Sequence, residues 1–331
     1  MTKISILDLS PITEGSNPSA ALANSLDLIQ HGEQWGYERY WVAEHHNMRG
    51  IASAATAVVI SHLAGGTSNI RVGAGGIMLP NHSPLVIAEQ FGTLASLYPD
   101  RIDLGLGRAP GTDQNTAHAL RRTLAGNIDD FPNDVLELQN YFKESDANAR
   151  VSAIPGEGTH VPLWILGSSL FGAQLAGILG LPFVFASHFA PAMLKQAIDV
   201  YRDNFKPSDQ LKDPYLMLGF NVCAAETNEE AEYLRSSSII SLISMRKGKP
   251  RQLPKPVANL RQQLSQEEIY ILENTPRCAA FGDVNAIREG MRDFIEQHNA
   301  DELILVSSIF DHQARLNSYE IAMEAAMALA A

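Results

Sequence analysis

Tyr40-Trp41-Val42-Ala43-Glu44-His45-His46-Asn47 is the stretch whose reading decides the fold. Aromatic and β-branched residues run without a polar break into a carboxylate and two imidazoles. Such a run reads as a strand buried on both faces, with its polar groups kept for its far end. Successive strand residues point to opposite faces, so only one of His45 and His46 can face a ligand while the other packs outward. Alternation alone does not say which. Adjacent histidines also fail to supply two metal ligands on one face, so a metal-assisted hydrolase would have to assemble His45, His46, His188 and carboxylates from separate elements.

Working outward, the same alternation of apolar strand and amphipathic helix repeats along the chain. Ile4 to Leu9 reads as a strand, followed by a helix that starts at Asn17-Pro18 and closes at Trp35-Gly36. Beyond His46, Ser53 to Leu63 is helical and ends at Gly65-Gly66, Ile70 to Met78 is extended, and a helix from Pro84 stops at Tyr98-Pro99-Asp100 before the strand Ile102 to Leu106. Residues 109–162 are longer than one connection should be and read as an excursion above the sheet, with an amphipathic stretch around Val135, Leu138 and Phe142. Leu163 to Leu166, Phe183 to Ala186, Tyr215 to Ala224 and Leu303 to Val306 complete the strands, with helices between them. Residues 246–256, basic and proline-rich, read as a mobile lid or as a solvated loop. Eight strands, each followed by a helix, predict a parallel (β/α)8 TIM barrel formed by residues 1–331 as one domain.

Composition narrows the function. The 331 residues carry 25 Lys and Arg against 37 Asp and Glu, a formal charge of −12, which repels a phosphate backbone and argues against nucleic acid as a partner. No stretch of eighteen apolar residues and no signal-like N-terminus is found, so the expected location is cytoplasmic, with no membrane partner. Cys223 and Cys278 stand far apart, outside any metal or redox spacing, and read as packing residues.

In a parallel barrel chemistry belongs at the C-terminal ends of the strands. Those ends hold Glu44-His45, Gly73-Ala74-Gly75-Gly76, Gly105-Leu106-Gly107-Arg108 and Gly167-Ser168-Ser169. Gly75 and Gly76 suit a place where a flat ligand or another backbone comes close, or a bulge at the rim. Arg108 can hold a phosphate bidentately or pair with Asp113. Ser168 and Ser169 open a helix whose first turn contains Gly172, which makes an anion site or an ordinary N-cap; with Arg108 on the neighbouring strand, phosphate is the reading that joins them. Gly105 to Pro110 approaches a dinucleotide fingerprint, but Pro110 occupies its sixth position and no compact βαβ unit surrounds it.

With these residues assembled, the chain resembles the bacterial luciferase-like flavin-dependent monooxygenases, close to single-chain members without light emission. The resemblance spans essentially the whole chain. It is carried by residues 40–46, by Gly73 to His82, by Pro99 to Arg108, and by Ser168-Ser169 with Gly180-Leu181-Pro182. It implies that His45, with Glu44 beside it, is catalytic, that Arg108, Ser169 and the first-turn amides near Gly172 hold the FMN phosphate, and that a cis peptide lies at Gly75-Gly76. It further implies reduced FMN supplied by a separate flavin reductase, molecular oxygen, a flavin hydroperoxide that oxidises a small organic substrate, and a homodimer formed near the apolar helix Ala54 to Leu63. Gly107 stands where light-emitting members have a reactive cysteine, so luminescence and aldehyde specificity do not transfer. A deazaflavin-dependent oxidoreductase and a flavin-binding protein without turnover remain as alternatives.

Overall fold

Alternation along the second strand sets the inside and outside of the molecule. Trp41 and Ala43 join Leu7, Trp164, Val184, Met217 and Ile304 in one buried cluster, whereas Tyr40 and Val42 belong to the larger cluster beneath the helices. The small cluster is the barrel interior. Trp41 and Trp164 meet edge to face at 5.1 Å, and Trp164 meets Tyr215 in the same way at 5.6 Å, contacts worth roughly 0.5–1.5 kcal/mol each beyond their burial.

The computed structural model describes residues 2–109, 116, 119–120, 130–144 and 149–329. Its strands are β1 (Lys3–Asp8), β2 (Arg39–Val42), β3 (Arg71–Met78), β4 (Ile102–Gly107), β5 (Leu163–Gly167), β6 (Phe183–Phe185), β7 (Leu216–Ala224), β8 (Ala279–Gly282) and β9 (Glu302–Val306). Every pairing is parallel, and the ring β1-β2-β3-β4-β5-β6-β7-β9 closes where β9 pairs β1. The expected (β/α)8 barrel is therefore present. The strand expected at Leu303 to Val306 is β9, because an additional strand, β8, precedes it; β8 lies outside the ring and, among the described residues, pairs only with β7 from Asn221 to Ala224. Four residues cut off by Pro276 and Gly282 carry too little periodicity to declare themselves; β8 exists because β7 runs past the barrel rim and offers it an edge.

Local signals set the helix ends. The Asn17 side chain accepts from Ala20 N at 3.0 Å at the start of helix Pro18–Trp35, and Gly36 ends it at φ 90°, a conformation that favours glycine. Asp283 caps helix Val284–His298 through Asn285 N and Ala286 N, both at 3.0 Å. A short helix, Gln266–Glu273, was not anticipated; Ser265 and Glu268 form its capping box. Within the excursion, helix Phe131–Tyr141 buries Phe131, Val135 and Leu138 and packs against helix Pro84–Leu97 on the barrel flank.

Candidate active site

The β2 ladder ends at Val42, and the chain beyond it is held by neighbouring loops: Ala43 O accepts from Ser53 Oγ at 2.6 Å and Glu44 N donates to Gly76 O at 3.4 Å. Glu44 turns away from the barrel axis. Its carboxylate is buried and accepts from His46 Nε2 at 2.7 Å, from Met78 N at 2.9 Å, and from His82 Nε2 at 2.9 and 3.0 Å. Burial pushes its pKa up, but the bond and charge of His82, then His46 and the Met78 amide, hold it below the ordinary carboxylate value. Glu44 thus clamps β2 to the turn after β3, and it is joined with His46 and His82 rather than with His45.

His45 continues the inward face of Trp41 and Ala43. Its Nδ1 is buried with no hydrogen-bond partner. Loss of water lowers its pKa, Glu44 acts in the opposite direction, and His46 adds to the lowering. A second imidazole answers it. His188, just after β6, also has a buried Nδ1 without a partner, and burial, with a contribution from His45, pushes its pKa down to about 4. Gly219 on β7 makes the slot, since a Cβ there would collide with the His188 ring, and Asn221 Nδ2 holds the His188 carbonyl at 2.6 Å. Two sealed imidazole nitrogens with nothing to bond carry a desolvation cost, and that of His188 is pressed against Gly219.

From the sequence, His188 belongs only to the set a metal-assisted hydrolase would need. The signal that could have found its role is Gly219, an otherwise unexplained glycine in the middle of an apolar strand. Among the described residues no group of three or more His, Cys, Asp or Glu is arranged to hold a metal ion.

The depressed His188 pKa carries a stability consequence. A base with a folded pKa of about 4 against ~6.5 unfolded leaves the unfolded state binding more protons between those values. Stability from this group is therefore complete above ~6.5 and falls by about 2–3 kcal/mol as pH drops toward 4. Urea unfolding of wild type and His188→Asn across this window should show a shallower acid slope in the variant; equal slopes would remove His188 as the cause.

Elsewhere on the mouth, β4 and β5 bring an arginine to the start of a helix. Gly107 pairs Leu166 across β4 and β5, which brings Arg108 beside Gly167-Ser168-Ser169. The Arg108 guanidinium lies 4.1 Å from the ring centre of Phe171, in the first turn of helix Leu170–Leu179. Ser169 occupies the N-cap position without making a side-chain cap bond, and Gly172 lies close against Gly167. Asp113, the other partner considered for Arg108, lies outside the described residues. The Gly75-Gly76 peptide is cis. A Cβ on Gly76 would stand 2.7 Å from Gly105 O, and one on Gly75 would stand 2.8 Å from Leu7 Cδ1, so both glycines serve close approach by the protein's own atoms where β3 shifts register against β4.

Residues 2–319 match the profile of the luciferase-like monooxygenases. The chain belongs to the luciferase-like monooxygenase family. A luciferase-like monooxygenase of Escherichia coli K12 is 53% identical, over 97% of this chain and 96% of its own. An N-acetyl-S-alkylcysteine monooxygenase of Bacillus subtilis is 36% identical over 70% of each chain. The crystal structure of apo-MsnO8 superposes with TM-score 0.88 at 33% identity, covering 99% of both chains. At lower identity the fold alone is shared with an FMN complex of the oxygenating constituent of 3,6-diketocamphane monooxygenase (14%, TM-score 0.71, 98% and 97% covered) and with an F420-dependent secondary alcohol dehydrogenase (15%, TM-score 0.66, 98% of each).

In this luciferase-like monooxygenase the segment after β7 lies over the loops that follow β1 and β2. Leu253 N donates to Ile12 O at 3.1 Å, Glu14 N donates to Leu253 O at 2.9 Å, and Arg251 pairs with Glu14. Leu253 is buried there, so the charged stretch is anchored by an apolar residue. Among the described residues no helix is long and apolar enough to cross a membrane.

Proposed function

We propose that this chain is a flavin-dependent monooxygenase that takes reduced FMN and molecular oxygen and oxidises a small organic substrate. The observation that carries the reading is one barrel mouth holding both an arginine-flanked helix start on β4 and β5 and two unpartnered imidazoles at the ends of β2 and β6. The residues present fit FMN. Arg108 has no carboxylate partner among the described residues, and the first-turn N–H groups beside Ser169 are the donors a phosphate uses. Bound reduced flavin supplies the oxygen-activating chemistry. His45 then holds or moves a proton at Nδ1 or Nε2, and Glu44 acts as a positioning residue through the clamp on Met78 and His82. The anchored segment after β7 keeps water from the mouth.

Arg108→Ala should weaken FMN binding about ten- to a hundredfold, the worth of one charge-assisted pair of roughly 1.5–3 kcal/mol. An unchanged fluorescence titration would take the phosphate away from Arg108. The F420-dependent relative in fold supports a second reading with a deazaflavin, and titration with both cofactors decides between them. Substrate-dependent oxygen consumption with chemically reduced FMN separates turnover from mere flavin storage, and shows whether a separate reductase suffices as the electron source.

A homodimer belongs to the same proposal. Helix Thr56–Gly65 buries Val59, Ile60 and Leu63 against its own barrel yet leaves Val58 70% exposed, with Leu97 59% exposed on helix Pro84–Leu97. Sedimentation at micromolar concentration tests it; a monomer there counts against it.

A further inference from the structure

The slot that holds His188 also aims it. Leu218 and Phe220 of β7 face the outer core and Met217 faces the barrel interior, so Gly219 presents its missing side chain inward. Gly219 pairs Ile304 of β9, another interior residue, and Asn221 pairs Val306, which packs against the same cluster. A Cβ on Gly219 would collide with His188 Nδ1 and stand 3.1 Å from both Cγ and Cε1. The ring therefore meets the β7 wall with Nδ1 foremost, evenly on either side. The opposite edge of an imidazole is its Cδ2–Nε2 bond, which points off the wall toward the barrel axis. Of the two nitrogens only Nδ1 is sealed, and Nε2 makes no hydrogen bond among the described residues.

The same glycine fixes the proton. Its Cα hydrogen lies in the direction a Cβ would take, facing Nδ1, so an N–H there would set two hydrogens against each other. Nδ1 thus carries the lone pair, against a Cα–H, and Nε2 carries the proton. Burial pushes the pKa down to about 4, so no second proton is taken up near neutral pH. The backbone around the ring is pinned: Asn221 Nδ2 donates to His188 O and Ser187 Oγ donates to Gly219 O, both at 2.6 Å. Phe189 meets the imidazole edge to face at 5.0 Å and is 57% exposed. An uncharged N–H donor therefore stands on a wall made of Met217, Ile304, Val306 and Phe189.

We propose that His188 is a substrate-binding residue whose Nε2–H donates to an uncharged oxygen acceptor, such as a carbonyl, on a molecule with an apolar body. The wall takes the body and the single donor fixes its orientation. A carboxylate would lose its water for one neutral donor, which does not repay the transfer. The arginine and helix start proposed for the cofactor phosphate stand on β4 and β5, with β6 between them and this wall. That the occupant is the substrate rests on the monooxygenase reading; the direction of the ring does not.

The test titrates cyclohexanone and its isostere methylenecyclohexane, which lacks the oxygen, into FMN-reconstituted wild type, His188→Leu, His188→Gln and Gly219→Ala, with FMN titrated into each protein separately. His188→Leu should weaken cyclohexanone about three- to tenfold, the worth of one neutral hydrogen bond, and leave methylenecyclohexane and FMN affinities unchanged. His188→Gln, whose amide keeps a donor, should recover part of the loss. Gly219→Ala keeps the imidazole but takes its slot, and should reproduce the loss. Proton–nitrogen correlation spectra of wild type near neutral pH should place the His188 proton on Nε2. Absence of cyclohexanone binding, equal losses for both probes in His188→Leu, or a proton on Nδ1 would overturn the assignment. Weakened FMN binding in His188→Leu would also overturn it, by giving the imidazole to the cofactor. If FMN itself does not bind wild type, the monooxygenase reading fails, while the two probes on cofactor-free protein and the position of the proton still decide the His188 contact.

Discussion

His45→Ala is expected to keep FMN affinity while lowering substrate oxygenation by about 10²–10⁴, the usual worth of one general acid or base. The physical basis is its position. His45 follows Trp41 and Ala43 on the inward face of β2 and presents a buried, unpartnered Nδ1, whereas the proposed phosphate contacts come from β4 and β5. His46→Ala should be much milder for turnover, because His46 spends its Nε2 on the Glu44 carboxylate. Burial lowers the His45 pKa from its ordinary value, so the neutral imidazole predominates at neutral pH and activity should fall on acidification rather than on a rise in pH. Stopped-flow and steady-state rates of both variants, beside FMN titrations, check this. A damaging His46→Ala with a harmless His45→Ala would reverse the assignment.

How far such a site can be read in advance depends on how local its causes are. The barrel was legible because fully buried strands such as Tyr40-Trp41-Val42 are near-continuous apolar runs, and because the strand ends concentrate glycine. The neighbourhood of the strand ends that carry Arg108 and Ser169 was legible for the same reason: the barrel rule puts consecutive strand ends together. His188 was not legible as a mouth residue, since its burial depends on Gly219 across on β7. Glu44 beside two imidazoles invites a reactive role, but its clamp on His82 and Met78 exists only once the turn after β3 folds back onto β2. In each case the missing information was a contact between distant segments, which no local pattern encodes.

The other large effect lies at the opposite end of the barrel, on the same face of β2. Arg39 begins that strand two residues before Trp41, and its side chain is only 5% exposed, pairing Asp103 at 2.6 Å and Glu302 at 2.8 Å while lying 4.7 Å from the Trp164 ring centre. Burial acts against its charge, but Asp103 and Glu302 outweigh it and raise its pKa; Asp103, which burial pushes upward, is held below its ordinary value by Arg39 and then Arg71. Arg39→Met keeps the volume and removes the cation. Asp103 would still have Arg71 at 2.6 Å, but Glu302 would keep only neutral donors, Tyr215 at 2.8 Å and Ser5. A buried charge left without its partner costs about 3–5 kcal/mol, so urea unfolding followed by tryptophan fluorescence should show a loss of that size. Adding Glu302→Gln should recover part of it, because the orphaned charge and not the missing bond is the main penalty. A loss below about 1 kcal/mol would mean that water reaches this end of the barrel and screens the pair as it does at a surface. FMN affinity and turnover per folded molecule should stay close to wild type in Arg39→Met, the reverse of His45→Ala: one inward face, running from Arg39 through Trp41 and Ala43 to His45, carries stability at its floor and chemistry at its mouth.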